Sequence, residues 1–297
     1  LIEIKNVTKR FGKLVAVNGV SFGAGRGAAL AILGANGAGK STLIKCMLGL
    51  LDYSGDIKLD GIDVRKHPKE ARSRVSYLPQ EPVFYDMRAG DIIRFFARLR
   101  RSGEAETEKL LTEVGLSEHA RKRASELSGG MRQRLSFAIA LLSSPPTLLL
   151  DEPSSNLDAR ARGEFLQLVK EYKEKGKTVV FSSHRLDEVN YLADRVIVMK
   201  EGKLVMDEEP WELRHRLGTR MNISVPEEFV SRASSVFTEA GIIVHGKNGM
   251  GLMIEVRGGD SLYPLKELMS RGIPVLGFSV EEPTMKSILE GAAKNGA

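Results

Sequence analysis

Gly34-Ala35-Asn36-Gly37-Ala38-Gly39-Lys40-Ser41-Thr42 is the stretch on which the reading of this chain turns. It fits the pattern G-x-x-x-x-G-K-[ST], a loop whose glycines let the backbone curl until successive N–H groups point inward at phosphate oxygens. The apolar run Ala28–Leu33 before it reads as a buried strand, and Ser41–Leu51 after it reads as a helix, whose N-terminal end adds positive potential to the loop. Lys40 is expected to pair with the β- and γ-phosphates of a nucleotide, and the Ser41 hydroxyl to bind magnesium. Gly34, Asn36, Gly37, Gly39 and Thr42 complete the expected nucleotide contacts. Strand, glycine loop and helix in that order open an α/β fold with parallel strands.

The next chemical element is Leu148-Leu149-Leu150-Asp151-Glu152, an apolar strand running into two carboxylates. By itself such a pair is often a strand end entering a loop. Downstream of a phosphate loop it takes a definite reading: Asp151 holds magnesium through water, and Glu152 polarises the attacking water as general base.

Those two elements describe a generic nucleotide hydrolase. Leu127-Ser128-Gly129-Gly130-Met131-Arg132-Gln133-Arg134 narrows it, because here the sequence resembles the ATP-binding cassette family, whose signature is L-S-G-G-Q. Met131 replaces the usual glutamine. Ser128, Gly129 and Gly130 would offer a hydroxyl and helix-terminal N–H groups to a γ-phosphate; the resemblance implies that this phosphate sits on the loop of an opposite subunit. Smaller elements match in family order. Phe11, in Lys9-Arg10-Phe11-Gly12, falls where the family stacks an aromatic on adenine. Gln80, in Leu78-Pro79-Gln80-Glu81, matches the glutamine that touches magnesium and reports nucleotide state. Asp158, in Ser155-Asn156-Leu157-Asp158, matches a loop that crosses the dimer interface. His184, in Phe181-Ser182-Ser183-His184, matches the switch histidine at the γ-phosphate.

The resemblance covers residues 1–217. A weaker likeness, Phe278-Ser279-Val280-Glu281-Glu282-Pro283-Thr284-Met285, links the ending to ATPases of drug-export-type systems and of the related copper-maturation system for nitrous oxide reductase. The implied fold class is α/β, a phosphate-loop cassette over residues 1–218 with an inserted helical subdomain at about 82–143. Charged, helix-favouring stretches such as Asp91–Arg101 and Glu104–Val114 mark that insertion. The α/β pattern resumes with Ala159–Lys175 as a helix bearing Phe165, Leu168, Val169 and Tyr172 on one face, Thr178–Ser182 as a strand, and Arg195–Met206 as a hairpin turning at Glu201-Gly202.

After Gly218 the pattern restarts. Ile223–Val225, Glu227–Ala240, Ile242–His245, Leu252–Val256, Leu262–Arg271 and Val275–Val280 spell strand, helix, strand, strand, helix, strand, and a last helix is expected at Thr284–Ala293. This is the order of a ferredoxin-like split unit, so residues 219–297 are expected to form a small α+β accessory domain.

Composition sets limits on this reading. With 42% hydrophobic and 28% charged residues over 297 positions, the chain can bury a full core. No apolar run approaches the roughly 18–20 residues needed to span a bilayer, and the alternating start Leu1-Ile2-Glu3-Ile4-Lys5 reads as a strand, not a leader. The expected location is cytoplasmic, peripheral on the inner face of the cell membrane, with spanning left to other subunits. The single cysteine, Cys46, is expected in the core. Scattered His245, Met250, Met253, Met269 and Met285 are read as packing. The net charge of +6 is spread among acidic residues, so no nucleic-acid partner is expected. Arg98-Leu99-Arg100-Arg101 is read as a solvated helix face.

The resemblance therefore implies ATP and magnesium as cofactors, a second copy of the chain closing a two-site ATP sandwich, and an integral-membrane subunit docking near Gln80 and Pro82–Phe96. Rival readings fare worse. A translation-type ATPase carries two cassettes per chain, a chromosome-structure ATPase needs long coiled coils between the nucleotide elements, and a non-catalytic module would not retain Glu152 and His184.

Overall fold

The computed structural model describes residues 1–217, 219–248, 251–256, 262–281 and 288. The chain packs as two compact units, Leu1–Asp207 and Glu208–Ala297.

The first unit is built on two sheets. Strands β1 (Ile2–Phe11), β2 (Leu14–Ala24), β4 (Ser54–Leu59) and β5 (Ile62–Asp63) form an antiparallel sheet in the order β2-β1-β4-β5. Strands β3 (Ala29–Leu33), β6 (Val75–Leu78), β7 (Thr147–Leu150), β8 (Thr178–Ser183), β9 (Arg195–Lys200) and β10 (Lys203–Glu208) form a second sheet in the order β10-β9-β3-β8-β7-β6. The pairs β9–β3, β3–β8, β8–β7 and β7–β6 are parallel. Their sequences are near-continuous apolar runs, as strands covered on both faces require, and every residue of β3 and β7 is buried.

Helix α1 (Lys40–Met47) opens directly from the glycine loop. It ends earlier than Leu51, because Gly49 takes a left-handed φ of 65° that turns the chain out of the helix. A short helix α2 (Pro68–Ser73) precedes β6. The segment between β6 and β7 is helical as expected: α3 (Ala89–Arg100), α4 (Glu104–Glu113) and α5 (Gly129–Leu141). Helix α6 (Ala159–Glu174) buries Phe165, Leu168, Val169 and Tyr172. It meets α5 through edge-on ring contacts of Phe137 with Phe165 and Tyr172, at centroid distances of 5.4 and 5.5 Å. Helix α7 (Leu186–Leu192) links β8 to β9.

One expectation fails here. Arg100 is not part of a solvated face. Its guanidinium donates to Ser76 Oγ at 3.1 Å, to Leu142 O at 3.2 Å and to Ala140 O at 3.4 Å, fastening α3 to β6 and to the end of α5. The carbonyls left unpaired at a helix C-terminus need donors, and a charged one serves well. Cys46 is buried as expected, and burial pushes its thiol up to about 11.

In the second unit, α8 (Pro210–Leu217) is followed by β11 (Thr219–Ser224), α9 (Val230–Glu239), β12 (Ile243–Asn248), β13 (Gly251–Val256), α10 (Tyr263–Ser270) and β14 (Gly277–Glu281). The strands form one sheet in the order β12-β13-β11-β14, with every neighbouring pair antiparallel. Met221, Ile223, Leu252 and Ile254 of the sheet pack with Ala233, Phe237 and Leu268 of the helices. The first strand starts at Thr219, ahead of Ile223, β12 runs on past His245 to Asn248, and β13 starts at Gly251, ahead of Leu252. The helix expected at Thr284–Ala293 lies outside the described residues.

Candidate functional site

In an open parallel sheet, ligands bind at the carboxyl ends of the strands. Four neighbouring strands of the second sheet end in expected functional residues. The glycine loop follows β3, Gln80 follows β6, Asp151 and Glu152 follow β7, and His184 follows β8. Parallel register brings these loops to one edge.

A cleft of about 590 Å³ opens there. Its lining includes Phe11, Asn36, Gly37, Gly39, Lys40, Ser41, Thr42, Gln80 and Glu152. That volume suits a nucleotide-sized ligand. Phe11 is half-exposed on the wall, with the Lys9 ammonium 4.9 Å from its ring centroid. Two glycines hold the loop close to neighbouring backbone. A Cβ on Gly34 would lie 2.6 Å from Met199 O, and one on Gly39 would lie 2.2 Å from Ala16 O. Gly39 also has a φ of 101°, a conformation that side-chain-bearing residues rarely adopt.

The polar groups at the loop form one connected network. Lys40 Nζ donates to Gly34 O at 2.8 Å and to Ala35 O at 3.2 Å, and it lies 2.9 Å from Glu152 Oε1. Lys40 is only 4% exposed. The other carboxylate oxygen of Glu152 is 3.2 Å from His184 Nδ1. Ser41 Oγ donates to Asp151 Oδ1 at 2.8 Å, and Ser182 Oγ donates to the same oxygen at 2.7 Å. Ser182 Oγ also accepts from the backbone N of Glu152 at 2.8 Å, which fixes the turn that aims the two carboxylates. At that turn Glu152 has a φ of 41°, a left-handed conformation uncommon for a residue with a side chain and typical of functional turns. Tyr77 OH donates to Asp151 Oδ2 at 3.4 Å, and burial, with the Asp151 carboxylate beside it, pushes the phenol up to about 12. The phenol therefore stays protonated and remains a donor.

Ser182 and Tyr77 were not singled out from sequence. Their signal was weak, since a serine or tyrosine inside an apolar strand ordinarily reports only strand alternation. The parallel register that brings β6, β7 and β8 side by side is what carries them to Asp151.

Ser128, Gly129, Gly130 and Asp158 do not line this cleft. Ser128 caps α5, its Oγ accepting from Met131 N at 3.2 Å, and Asp158 caps α6, its Oδ1 accepting from Ala161 N at 2.9 Å. The two helix starts pack on each other: a Cβ on Gly130 would lie 2.9 Å from Ala161 Cβ. Only a small residue at position 130 allows that approach.

For magnesium, the donor set is chemically suitable. Ser41 and Asp151 supply hard oxygens within hydrogen-bond distance of one another, Gln80 stands on the cleft wall, and magnesium typically takes one or two carboxylates plus phosphate oxygens and water. No group of three or more His, Cys, Asp or Glu side chains among the described residues is arranged to hold a metal without a nucleotide's help.

A glycine loop at a strand's carboxyl end, with paired carboxylates at the end of the next strand but one, defines a nucleoside-triphosphate-binding α/β protein. The particular family follows from comparison with known proteins. The family described as ABC transporter matches residues 17–155. An uncharacterized ABC transporter ATP-binding protein, YxlF of Bacillus subtilis, is 33% identical over 97% of this chain and 98% of its own length. The linearmycin resistance ATP-binding protein LnrL of the same organism is 29% identical over 97% of this chain and 96% of its own. Among solved structures, cbiO1 from Clostridium perfringens, part of the ABC transporter complex cbiONQ, superposes with a TM-score of 0.66 at 29% identity, covering 71% of this chain and 89% of that one. The chain belongs to the ABC transporter ATP-binding family: it is an ATP-binding and ATP-hydrolysing subunit that drives transport through a separate membrane subunit.

Proposed function

We propose that this chain powers an export-type transporter, working as a homodimer whose two ATP sites are each completed by the partner's signature. The observation that carries the dimer is the separation of Ser128–Gly130 from the cleft that holds Lys40, Ser41 and Glu152. Within the cleft, Lys40 and the backbone N–H groups of the glycine loop hold the phosphates, and Phe11 stacks on the base. Ser41, Asp151 and Gln80 hold magnesium, which when bound neutralises phosphate charge. Glu152 takes a proton from the attacking water, and His184 steadies the γ-phosphate end of the site.

Export is favoured by the names of relatives that resist or expel compounds, among them the linearmycin resistance protein and a Nod factor export ATP-binding protein of Burkholderia lata. The membrane subunit would dock on the segment after Gln80, where Val83 and Tyr85 stand 90% and 88% exposed, with Met87 and Phe95 also exposed. Large apolar groups held in water mark contact surfaces. Among the described residues no helix is long and apolar enough to cross a membrane, so attachment at the inner face would rest on this contact.

Residues 219–297 we read as a ferredoxin-like accessory domain, supported by the antiparallel order β12-β13-β11-β14. We assign it to steadying or regulating the ATPase dimer.

Co-purification with a tagged membrane subunit tests the docking face. Val83→Asp with Tyr85→Asp should abolish co-purification and leave the isolated chain's ATPase intact. Retained co-purification would refute that face. A chain ending near Arg216 tests the accessory reading: it should still bind and hydrolyse ATP, and insolubility or outright loss of binding would overturn it.

A further inference from the structure

We propose that Glu188, on α7, is a positioning residue for ATP hydrolysis, its buried carboxylate tying the loop after Glu152 to the turn that presents His184. The proposal rests on the reading of Glu152 and His184 given above.

Glu188 is 2% exposed and lines no part of the nucleotide cleft. Its Oε1 accepts from Ser154 Oγ at 2.5 Å, and its Oε2 accepts from Ser183 Oγ at 2.7 Å. Ser154 lies two residues beyond Glu152, and Ser183 directly precedes His184. Both serines are buried. Ser183 is itself a junction. Its Oγ accepts from Arg185 N at 3.0 Å, which closes the turn around His184, and its carbonyl accepts from Gly34 N at 3.3 Å at the start of the phosphate loop. One carboxylate thus adds a buried side-chain tie to three segments that parallel strand pairing already sets side by side: the loop after β7, the turn after β8 and, through Ser183, the glycine loop after β3.

Energetics point the same way. Removing a carboxylate from water is expensive, and an apolar side chain of similar volume generally stabilises a core as well or better. The nearest guanidinium, Arg185 Nε, is 3.7 Å from Oε1, while that side chain donates to both oxygens of Asp187 at 3.0 and 3.1 Å. The two hydroxyl bonds to Glu188 are short and charge-assisted, and such bonds fix geometry more firmly than neutral ones. Glu152 and His184 meet at 3.2 Å, and a shift of about 1 Å between catalytic groups can cost on the order of 100-fold in rate.

The test uses the full chain. Glu188→Gln keeps the volume and removes the charge. It should lower kcat about 10- to 100-fold, while KM and the affinity for a fluorescent ATP analogue change by less than about 2-fold, the split expected when ground-state binding is untouched. Ser154→Ala should lower kcat in the same way, Ser154→Thr should restore it, and the double variant Ser154→Ala/Glu188→Gln should be no slower than the slower single variant. A folded Glu188→Gln with wild-type kcat overturns the proposal, as does a loss of rate matched by an equal loss of nucleotide affinity. If Glu188→Gln does not fold, the Ser154 pair decides alone: equal kcat in Ser154→Ala and Ser154→Thr overturns it. Glu152→Gln run in parallel separates the two claims. Wild-type turnover there refutes the base assignment; an inactive Glu152→Gln beside a fully active Glu188→Gln refutes only the role of Glu188.

Discussion

Lys40 Nζ lies 2.9 Å from Glu152 Oε1, so the lysine proposed to meet phosphate and the carboxylate proposed to meet water neutralise each other across the cleft. Both side chains are buried, and each would be costly to leave alone. On the site roles proposed above, nucleotide entry would exchange this pair for a Lys40–phosphate contact and free Glu152 Oε1 for water, while Oε2 already faces His184 at 3.2 Å.

Glu152→Gln tests this exchange. Hydrolysis should fall about 10²–10⁴-fold, the usual cost of losing a positioned base, with nucleotide binding retained. The same variant leaves Lys40 charged and facing a neutral amide. Its nucleotide-free Tm should fall below wild type, and Mg-ATP should raise it by more than in wild type, because phosphate then supplies the missing partner. Thermal unfolding with and without nucleotide measures both. A nucleotide-free Tm equal to that of wild type would mean that the pair contributes nothing to the resting state.

The glycine loop gives a steric prediction. Gly39→Ala should abolish nucleotide binding, since its Cβ would sit 2.2 Å from Ala16 O and its φ of 101° is unfavourable to alanine. The obstacle is backbone of β2, which cannot rotate aside. Gly176→Ala is the matched control: its φ is 88°, but nothing lies within 4 Å of the added carbon. It should cost about 1 kcal/mol of stability from backbone strain alone and leave nucleotide affinity unchanged. Isothermal titration and urea unfolding of the two variants separate crowding from strain.

Much of this was readable from local sequence, and the reason is physical. The glycine loop, the carboxylate pair and the Ser128–Gly130 signature are short-range patterns, each needing particular residue types at fixed offsets. The run Leu148–Leu150 announced a buried strand for the same reason. What stayed hidden depends on pairing between distant strands. Ser182 meets Asp151 only because β7 and β8 lie in parallel register. Glu188 meets Ser154 only because α7 folds back beneath both loops. Arg100 misled because its neighbours in sequence are cations beside acidic residues, whereas its partners, Ser76, Ala140 and Leu142, are far along the chain.

That long-range role of Arg100 is itself testable. Arg100→Met keeps most of the side-chain volume and removes donors to one hydroxyl and two carbonyls. Hydrogen bonds to a charged donor are worth about 1.5–3 kcal/mol, so the midpoint of urea unfolding should drop by a corresponding amount. Arg100→Lys should recover only part of it, since the shorter lysine side chain ends in a compact, more strongly hydrated ammonium that does not reach the position of Nη1. Unchanged unfolding midpoints would return Arg100 to the solvated face that the sequence suggested.

The separation of Ser128 from its own cleft leads to the last prediction. Ser128, Gly129 and Gly130 stand at the N-terminus of α5, where unpaired N–H groups favour an anion. None of the three lines the glycine-loop cleft, whose wall includes Lys40, Ser41 and Glu152. In the head-to-tail dimer proposed above, one chain's α5 terminus would meet the other's bound γ-phosphate, and the phosphate charge would bridge the halves. Closure should therefore require nucleotide and should be trapped when hydrolysis is blocked. Light scattering on Glu152→Gln should report a monomer mass without nucleotide and twice that mass with Mg-ATP. Adding Ser128→Arg, which fills the space the γ-phosphate would approach, should keep the mass at one chain under the same conditions while leaving ATP bound to the glycine loop. A mass that ignores nucleotide, together with specific activity independent of protein concentration, would rule out the two-chain site.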